Sequence, residues 1–325
     1  MECNATYYNN ASLANIINIG YLQMSFGSLT AATNILCMLV VLSTKQMSRK
    51  YGNFGLLSLG GMLNALGLIL AGSIRKKLIY DNSYGSLSSF ACFGRPWPYF
   101  FIVGGQLPAF VLIVMAGERV IAIFKPIIYR TYVTPRIRVI TDIICIILSI
   151  LSLLIGIFFS YLNRDICTNP TCTTVYATGR LYGTFNNFFI VLLPFIALLL
   201  NTMAYIGAKR LSVSTNMERE LKKVLVSLML AALAVVLSAL PNIIIWGQGV
   251  YWNVVIAPYM NMAFCSNSAV NLFAFFFMRK DFRYRLLSFI SFGYLNRYFK
   301  LSEVIDTKAR QNMVQSIGNN QPARS

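Results

Sequence analysis

The charged pair Glu118-Arg119 stands where the third long apolar segment of the chain ends and a basic loop begins. Charges at the edge of a membrane are costly unless they are paired or hydrated, so this pair is a candidate functional site. Glu118 is adjacent to Arg119, and Glu218 and Glu220 precede the sixth apolar segment and could reach it across a helix bundle. The predicted chemistry is electrostatic: carboxylates hold Arg119 in one state and release it in another. A static ion pair is the alternative.

The composition argues against most other chemistry. The chain contains no histidine, which removes the usual general base and the commonest metal ligand. It also lacks a phosphate-binding glycine loop, paired-cysteine metal spacing and a Gly-x-Ser-x-Gly elbow. We therefore expect no enzyme, no cofactor and no metal. The net charge of +18 is typical of the cytosolic face of a membrane protein, so nucleic acid is not an expected partner.

Apolar runs position this charged pair. Of the 325 residues, 57% are hydrophobic, and runs long enough to cross a bilayer, about 20 residues each, occur seven times. The predicted spans are 17–42, 54–74, 98–124, 137–161, 183–208, 223–247 and 254–278. The fold class is therefore an all-α membrane protein, a seven-transmembrane helix bundle covering 17–278.

The two ends of the chain differ in character. Residues 1–16 are polar and form the predicted extracellular N-terminus. Apolar residues at helical spacing among Lys and Arg predict a short amphipathic juxtamembrane helix over 279–300, with an unstructured basic anchor as the alternative. Residues 301–325 are polar and predict a disordered cytoplasmic tail.

Two independent signals orient the bundle. The sequons at Asn4 and Asn10 lie before the first span and predict glycosylation of an extracellular N-terminus. In that orientation, most of the 28 Lys and Arg residues lie inside, as the positive-inside rule requires. The exceptions are Arg75, Lys76, Lys77, Arg95, Arg164 and Arg180. The inner basic residues are expected to meet anionic membrane lipid.

Four cysteines fall on the outer side of this topology. Cys92 precedes the third span, and Cys167 and Cys172 lie between the fourth and fifth spans. A disulfide from Cys92 to one of them would hold that loop over the outer mouth of the bundle. Cys172 is slightly favoured, but four cysteines including Cys3 allow three pairings, one of which closes a bridge within the loop.

The stretch 118–129 resembles the signature at the inner end of the third helix in rhodopsin-like (class A) G-protein-coupled receptors. It contains, in order, Glu118, Arg119, Ala122, Ile123, Pro126 and Tyr129. The stretch from Asn267 to Asn271, followed by Phe282-Arg283, resembles the end of that family's seventh helix and the start of its eighth. The resemblance implies coupling to a heterotrimeric G protein through Glu118, Arg119, Pro126, Tyr129, Glu220 and Asn271.

Departures from the family pattern narrow the resemblance. Asn64 and Ser58 stand near the usual aspartate of the second helix, so sodium-dependent regulation is not expected. The sixth span lacks a tryptophan before Pro241, and the seventh lacks the usual proline and tyrosine after Asn271. With Gly105-Gln106-Leu107-Pro108 in the third span, the chain resembles the nematode serpentine chemoreceptor families. That resemblance implies a multi-pass protein of the cell membrane. The membrane of a sensory cilium is one location that it allows.

A ligand site is predicted in the outer halves of spans three, five, six and seven. The polar and aromatic candidates there are Phe101, Gln106, Asn186, Asn187, Asn242, Trp246, Tyr259 and Asn261. Each could instead make an interhelical hydrogen bond or pack in the core. No acid or base lies among them, and the family's amine-binding aspartate and opsin lysine are missing. A small, neutral, partly apolar molecule is therefore the predicted ligand. A transporter or channel for a neutral solute is the alternative function.

Overall fold

The computed structural model describes the backbone of residues 10–210, 215–247, 249–278 and 280–291; it describes no side chain at 10–12, 50, 215–220, 222–223, 245–247, 249–257, 278 or 280. Seven helices in this part of the chain are long and apolar enough to cross a membrane. In a bilayer a helix satisfies every backbone polar group internally, which is why each long apolar run takes this form. The predicted all-α, seven-span architecture is confirmed.

Spans one to five are single helices: Asn10–Leu42, Lys45–Tyr80, Trp97–Phe124, Pro135–Leu162 and Arg180–Arg210. Span six consists of Thr215–Ala234, the π-helical turn Val235–Ala239 and Leu240–Gly247, and span seven is Gly249–Met278. Short helices lie at Ser89–Phe93, Pro126–Tyr132 (the loop helix), Thr174–Thr178 and Lys280–Ile290 (the juxtamembrane helix). Two short strands, β1 (Leu87–Ser88) and β2 (Cys167–Thr168), pair antiparallel.

The helices are longer than the apolar runs that predicted them. Span one begins at Asn10 rather than 17, and span two covers Lys45–Tyr80 rather than 54–74. Good helix formers among the added residues, such as Ala11 and Leu13 in span one and Lys45 and Gln46 in span two, allow the helix to continue beyond the apolar run. The start of span two is fixed by Thr44, whose hydroxyl accepts a hydrogen bond from the Met47 amide at 3.2 Å. A non-helical residue, Tyr51, then bends the helix.

Span six is interrupted where its proline requires it. Pro241 has no amide hydrogen, and its ring crowds the carbonyl one turn earlier. The backbone widens to a π-helical turn over Val235–Ala239 just before it. The side chain of Asn242 then donates to the Ser238 carbonyl at 2.8 Å. The proline was visible in the sequence, but the π-helical turn was not predicted.

Span four contacts the bundle through a narrow stripe of small residues. Its buried positions are Cys145, Ser149, Ser152, Gly156 and Ser160. Their spacing of three and four residues places them on one face of the helix. The opposite face is exposed and aliphatic, which suits contact with lipid.

A disulfide and a two-stranded sheet organise the outer loops. Cys92 is bonded to Cys172, with 5.3 Å between their Cα atoms, so the slightly favoured pairing is the one that the structure contains. Cys167 is also disulfide-bonded. The indole nitrogen of Trp97 donates to the Cys172 carbonyl at 2.9 Å. Together these contacts hold the loop between spans four and five against the start of span three.

The chain divides into two compact units, Met1–Ala274 and Phe275–Ser325. In the second, the juxtamembrane helix is Lys280–Ile290, shorter than the predicted 279–300. The rings of Phe275 and Phe282 lie 5.6 Å apart within this unit. The predicted tail 301–325 and the sequon at Asn4 lie outside the described residues, and Asn10 is the first residue of span one.

Candidate functional site

We call the side of the bundle that carries Glu118 the inner side and the side that carries the Cys92–Cys172 disulfide the outer side. On the inner side, Glu118 pairs with Arg138 of span four and not with the adjacent Arg119. The Glu118 Oε1 and Arg138 Nε atoms lie 3.4 Å apart, and the side chains are 12% and 28% exposed. Consecutive side chains point in different directions around a helix, so sequence adjacency did not give contact. The sequence expectation that Glu118 holds Arg119 is corrected accordingly.

Arg138 also connects span four to the loop helix. Its Nη2 donates to the Tyr129 hydroxyl at 2.6 Å, whereas its Nε makes only the ion contact and no aligned hydrogen bond. The loop helix begins at Pro126 because Lys125, with φ −136° and ψ 64°, leaves the helical region before the proline and ends span three. Pro126 thus turns the chain, and Tyr129 fastens the turned segment.

Arg119 has no such partner among the described residues. Its Nε is buried and donates no hydrogen bond to any residue that the structure describes. The side chains of Glu218 and Glu220, predicted to restrain it, lie outside the described residues. Of the two charged switch residues whose side chains are described, Glu118 has an ion pair and Arg119 has none.

A cavity of about 490 Å³ opens beside Arg119 between the inner ends of spans two, three and four. Six charged side chains line it: Arg49, Glu118, Arg119, Arg136, Arg138 and Asp142. Four guanidinium groups face two carboxylates, so the lining is positive. The Oδ1 atom of Asp142 is buried and has no hydrogen bond to a described residue, and the same holds for the Nε of Arg119. This cavity, which we call the inner cavity, can bind an anionic or hydrogen-bonding group.

The inner ends of spans three, five and six pack closely against one another. Ile123, Ala204, Ala208 and Val224 form one buried cluster there. A methyl group added at Gly207 would meet the ring of Phe124 at 2.6 Å. The described part of the inner side is therefore closed between these three spans.

A second polar cluster lies in the middle of the bundle. Asn64 donates to the Gly104 carbonyl at 2.7 Å, and Asn34 donates to the Ser268 hydroxyl at 2.9 Å. Asn271, predicted to take part in the switch, lines a cavity of about 20 Å³ here, a volume that fits about one water molecule. Its lining contains no carboxylate among the described residues, so the residues present do not fit the sodium ion of the family resemblance.

On the outer side, two of the predicted ligand residues contact each other. Gln106 of span three donates from Nε2 to the Asn186 Oδ1 of span five at 2.7 Å. Both side chains are almost completely buried, at 2% and 1% exposure. Asn186 also donates to Asn187 at 3.5 Å. The Gln106 Oε1 is buried and accepts no hydrogen bond from the described residues.

The other predicted ligand residues lie apart from this pair. Phe101 packs against span two, where its ring would meet a Cβ at Gly67 at 2.9 Å. Asn242 bonds to its own helix at Ser238. Asn261 is half-buried, and Tyr259 is 43% exposed. The side chain of Trp246 lies outside the described residues.

Sequence reasoning counted Arg75 as one of the outer charges and did not predict its position. The structure buries it to 5% exposure at the outer end of span two. It donates to the Thr171 carbonyl and, at 3.4 Å, to the Gln23 amide oxygen. Its guanidinium also lies 5.3 Å from the Trp97 ring centroid. The charge in the Arg75-Lys76-Lys77 sequence was the only available signal.

Comparison with known protein families agrees with the seven-span fold described above. The profile of the family described as "7 transmembrane receptor (rhodopsin family)" matches residues 33–278, which covers most of the chain and both polar clusters. No curated protein matches the chain. Proteins of this family are multi-pass membrane receptors and generally not enzymes, in keeping with the seven spans. The chain belongs to the rhodopsin family of seven-transmembrane receptors.

Proposed function

We propose that the protein is a chemoreceptor that signals to a heterotrimeric G protein through the inner end of span three. The observation that carries this proposal is Arg119, a permanent cation whose Nε is buried without a hydrogen bond among the described residues. A charge left in this condition beside a cavity is ready to exchange partners. A static ion pair would instead hold its arginine against a carboxylate, as Glu118 holds Arg138.

The proposed switch depends on span six. In the inactive state, Glu220, with Glu218 near it, restrains Arg119 across the closed contact of spans three, five and six. The π-helical turn Val235–Ala239 gives span six a position at which its inner half can swing outward. That movement would free Arg119 for the G protein, while Asn271 in the middle of the bundle would pass the ligand signal inward.

The loop helix would form the second part of the G-protein contact. None of its residues is buried, and Ile127 is 81% exposed. Exposed apolar residues that cluster on a loop mark interaction surfaces. The Arg138–Tyr129 hydrogen bond holds this helix in place beside Arg119, so both contacts would be presented together.

The proposed ligand is a small, neutral, partly apolar molecule bound in the outer half of spans three, five, six and seven. The Gln106–Asn186 pair supports this because it provides a neutral hydrogen-bonding site with a free acceptor, Gln106 Oε1. No buried charge lies in these outer halves among the described residues, since Arg180 at the tip of span five is exposed. The buried Arg75 is in span two and bonds to the outer loop.

The proposal also includes the orientation of the protein in the membrane and its cellular location. An extracellular N-terminus glycosylated at Asn4 and Asn10 places the inner cavity on the cytosolic side, where its basic rim would meet anionic lipid. The departures from the family pattern in spans six and seven favour the nematode chemoreceptors and the membrane of a sensory cilium. A transport function is less well supported, since the central cavity lined by described residues is about 20 Å³, too small for a solute larger than water.

The test is agonist-dependent nucleotide exchange. Cells that express the receptor with a promiscuous Gα subunit are screened with small neutral volatile and polar compounds, and hits are repeated with purified receptor and G protein. Arg119→Ala should keep surface expression and lose exchange, whereas Arg164→Ala, which removes an exposed arginine on the outer side, should retain it. Normal exchange in Arg119→Ala at equal expression, or solute flux without exchange, would contradict the proposal.

A further inference from the structure

The inner cavity has the size of a ligand site, and the switch proposed above does not use its full lining. Its volume of about 490 Å³ lies within the range of small-molecule sites, about 300–1,000 Å³. Arg49 and Arg136 line it in addition to the switch residues. Both are exposed, so they form the rim of the cavity and not its floor.

The charge balance of the lining indicates an anion. Four arginines are opposed only by Glu118 and Asp142. Glu118 is already paired with Arg138, which leaves three guanidinium groups against one carboxylate. Guanidinium groups bind phosphate oxygens in bidentate geometry, and the planar fork makes arginine the usual residue at such sites.

Two buried polar atoms of the lining narrow the type of anion. The Arg119 Nε requires an acceptor, and the Asp142 Oδ1 requires a donor, and neither has one among the described residues. A phosphate monoester provides both in its singly protonated form, which keeps one P–OH group and, with a second pKa near 6, makes up about a tenth of the molecules at pH 7. A phosphodiester or a carboxylate at neutral pH has acceptors only, so it would leave Asp142 unsatisfied.

The membrane side of the cavity indicates where the phosphate comes from. Val139 and Ile140 of span four line the cavity and are 57% and 54% exposed. They continue into the exposed aliphatic face of span four, opposite its buried stripe of small residues. A ligand that occupies the cavity thus has charged groups on one side and hydrocarbon contact on the other, which is the form of a phospholipid at the inner surface.

We propose that the inner cavity binds the headgroup of an inner-leaflet phospholipid that carries a phosphate monoester, with Arg49 and Arg136 at its rim. The phosphate lies toward Arg119 and Asp142, and the acyl chains lie along Val139 and Ile140. The inference rests on the proposed orientation, which places this cavity at the cytosolic leaflet, but it does not depend on ligand recognition or G-protein coupling.

The experiment measures lipid binding directly. The full-length purified protein is titrated with fluorescent phosphatidic acid, a monoester, and with fluorescent phosphatidylglycerol, a diester. We expect phosphatidic acid to bind about tenfold more tightly than phosphatidylglycerol. One additional charged hydrogen bond would account for this difference. Arg136→Gln and Arg49→Gln should each weaken it by a similar factor and leave phosphatidylglycerol binding little changed. Neither residue belongs to the switch, so both variants should have the same melting temperature as the native protein in phosphatidylcholine.

The matched control is Arg130→Gln, an exposed arginine of the loop helix that does not line the cavity. It should alter phosphatidic acid binding by less than about twofold, as expected for a remote surface charge. Equal affinity for the two lipids, or equal losses in Arg130→Gln and Arg136→Gln, would overturn the proposal. Competition by soluble glycerol phosphate as strong as that by phosphatidic acid would show a soluble ligand and overturn the assignment to lipid. No G protein is used, so a failed Arg119→Ala experiment would leave this result intact.

Discussion

The hydrogen bond between Gln106 and Asn186 allows a sharp test of the outer site. It joins spans three and five at 2.7 Å between two side chains that are 2% and 1% exposed. Gln106→Leu and Asn186→Leu each remove one partner with little change in volume, and the double variant removes both. A double-mutant cycle built from these three variants measures the interaction itself.

The magnitude follows from what each variant leaves behind. Gln106→Leu leaves the Asn186 Oδ1 without its donor, and a buried unsatisfied polar atom costs about 1–3 kcal/mol. Asn186→Leu does the same to the Gln106 Nε2. The double variant leaves neither atom, so its destabilisation should fall short of the sum of the single losses by about 0.6–1.7 kcal/mol, the range for interhelical hydrogen bonds in membranes.

The assay is thermal unfolding of the purified receptor in nanodiscs at a fixed scan rate, where 1 kcal/mol corresponds to a shift of about 2–4 °C. Asn201→Leu is the matched control, since Asn201 is also buried in span five but donates to the Ala197 carbonyl of its own helix. Gln106→Leu and Asn201→Leu should be additive. Additivity of Gln106→Leu and Asn186→Leu would refute the reasoning, because it would mean that the hydrogen bond contributes nothing.

Three further predictions concern other parts of the molecule. Gly104→Ala should lower stability by about 1–3 kcal/mol, measured by thermal unfolding, because its Cβ would lie 2.6 Å from the Asn64 Oδ1; an unchanged melting temperature would contradict this packing. Cys172→Ser should cost about 2–5 kcal/mol and weaken agonist binding, and reductant should destabilise the native protein by more than this variant, which keeps only the disulfide of Cys167. Ile127→Asp should reduce nucleotide exchange without changing the melting temperature, since the side chain is 81% exposed; full exchange would show that the loop helix does not contact the G protein.

The parts of the fold that could be predicted from the sequence were those determined by long apolar runs. All seven spans were found because the free energy of placing about 20 apolar residues in a bilayer outweighs local detail. The ends were less accurate, as in span two, where Thr44 caps a helix that starts among polar residues. Helix propensity and capping decide such ends, and they act on single residues that hydrophobicity does not reveal.

Contacts between spans were the part that the sequence could not provide. Glu118 was expected to meet its neighbour Arg119 but contacts Arg138, because the rotation of the helix and the approach of span four decide the partner. Arg75 was treated as one of the outer charges, yet it is buried against Trp97 and the outer loop. Both outcomes depend on tertiary packing that joins residues distant in sequence.

Span six lacks the tryptophan that the family usually has before Pro241. The central cavity suggests how this span can still drive the proposed switch. Ser238 belongs to the π-helical turn and lines the same cavity of about 20 Å³ as Asn64, Asn267 and Asn271. The Oδ1 atoms of these three asparagines are buried without hydrogen bonds among the described residues. Because each such atom costs about 1–3 kcal/mol, a rearrangement of the turn that gives one of them a donor would shift a two-state equilibrium by about 5–150-fold. That factor lies in the range of allosteric coupling, so the unsatisfied amides can take over a relay that other receptors of the family assign to different side chains.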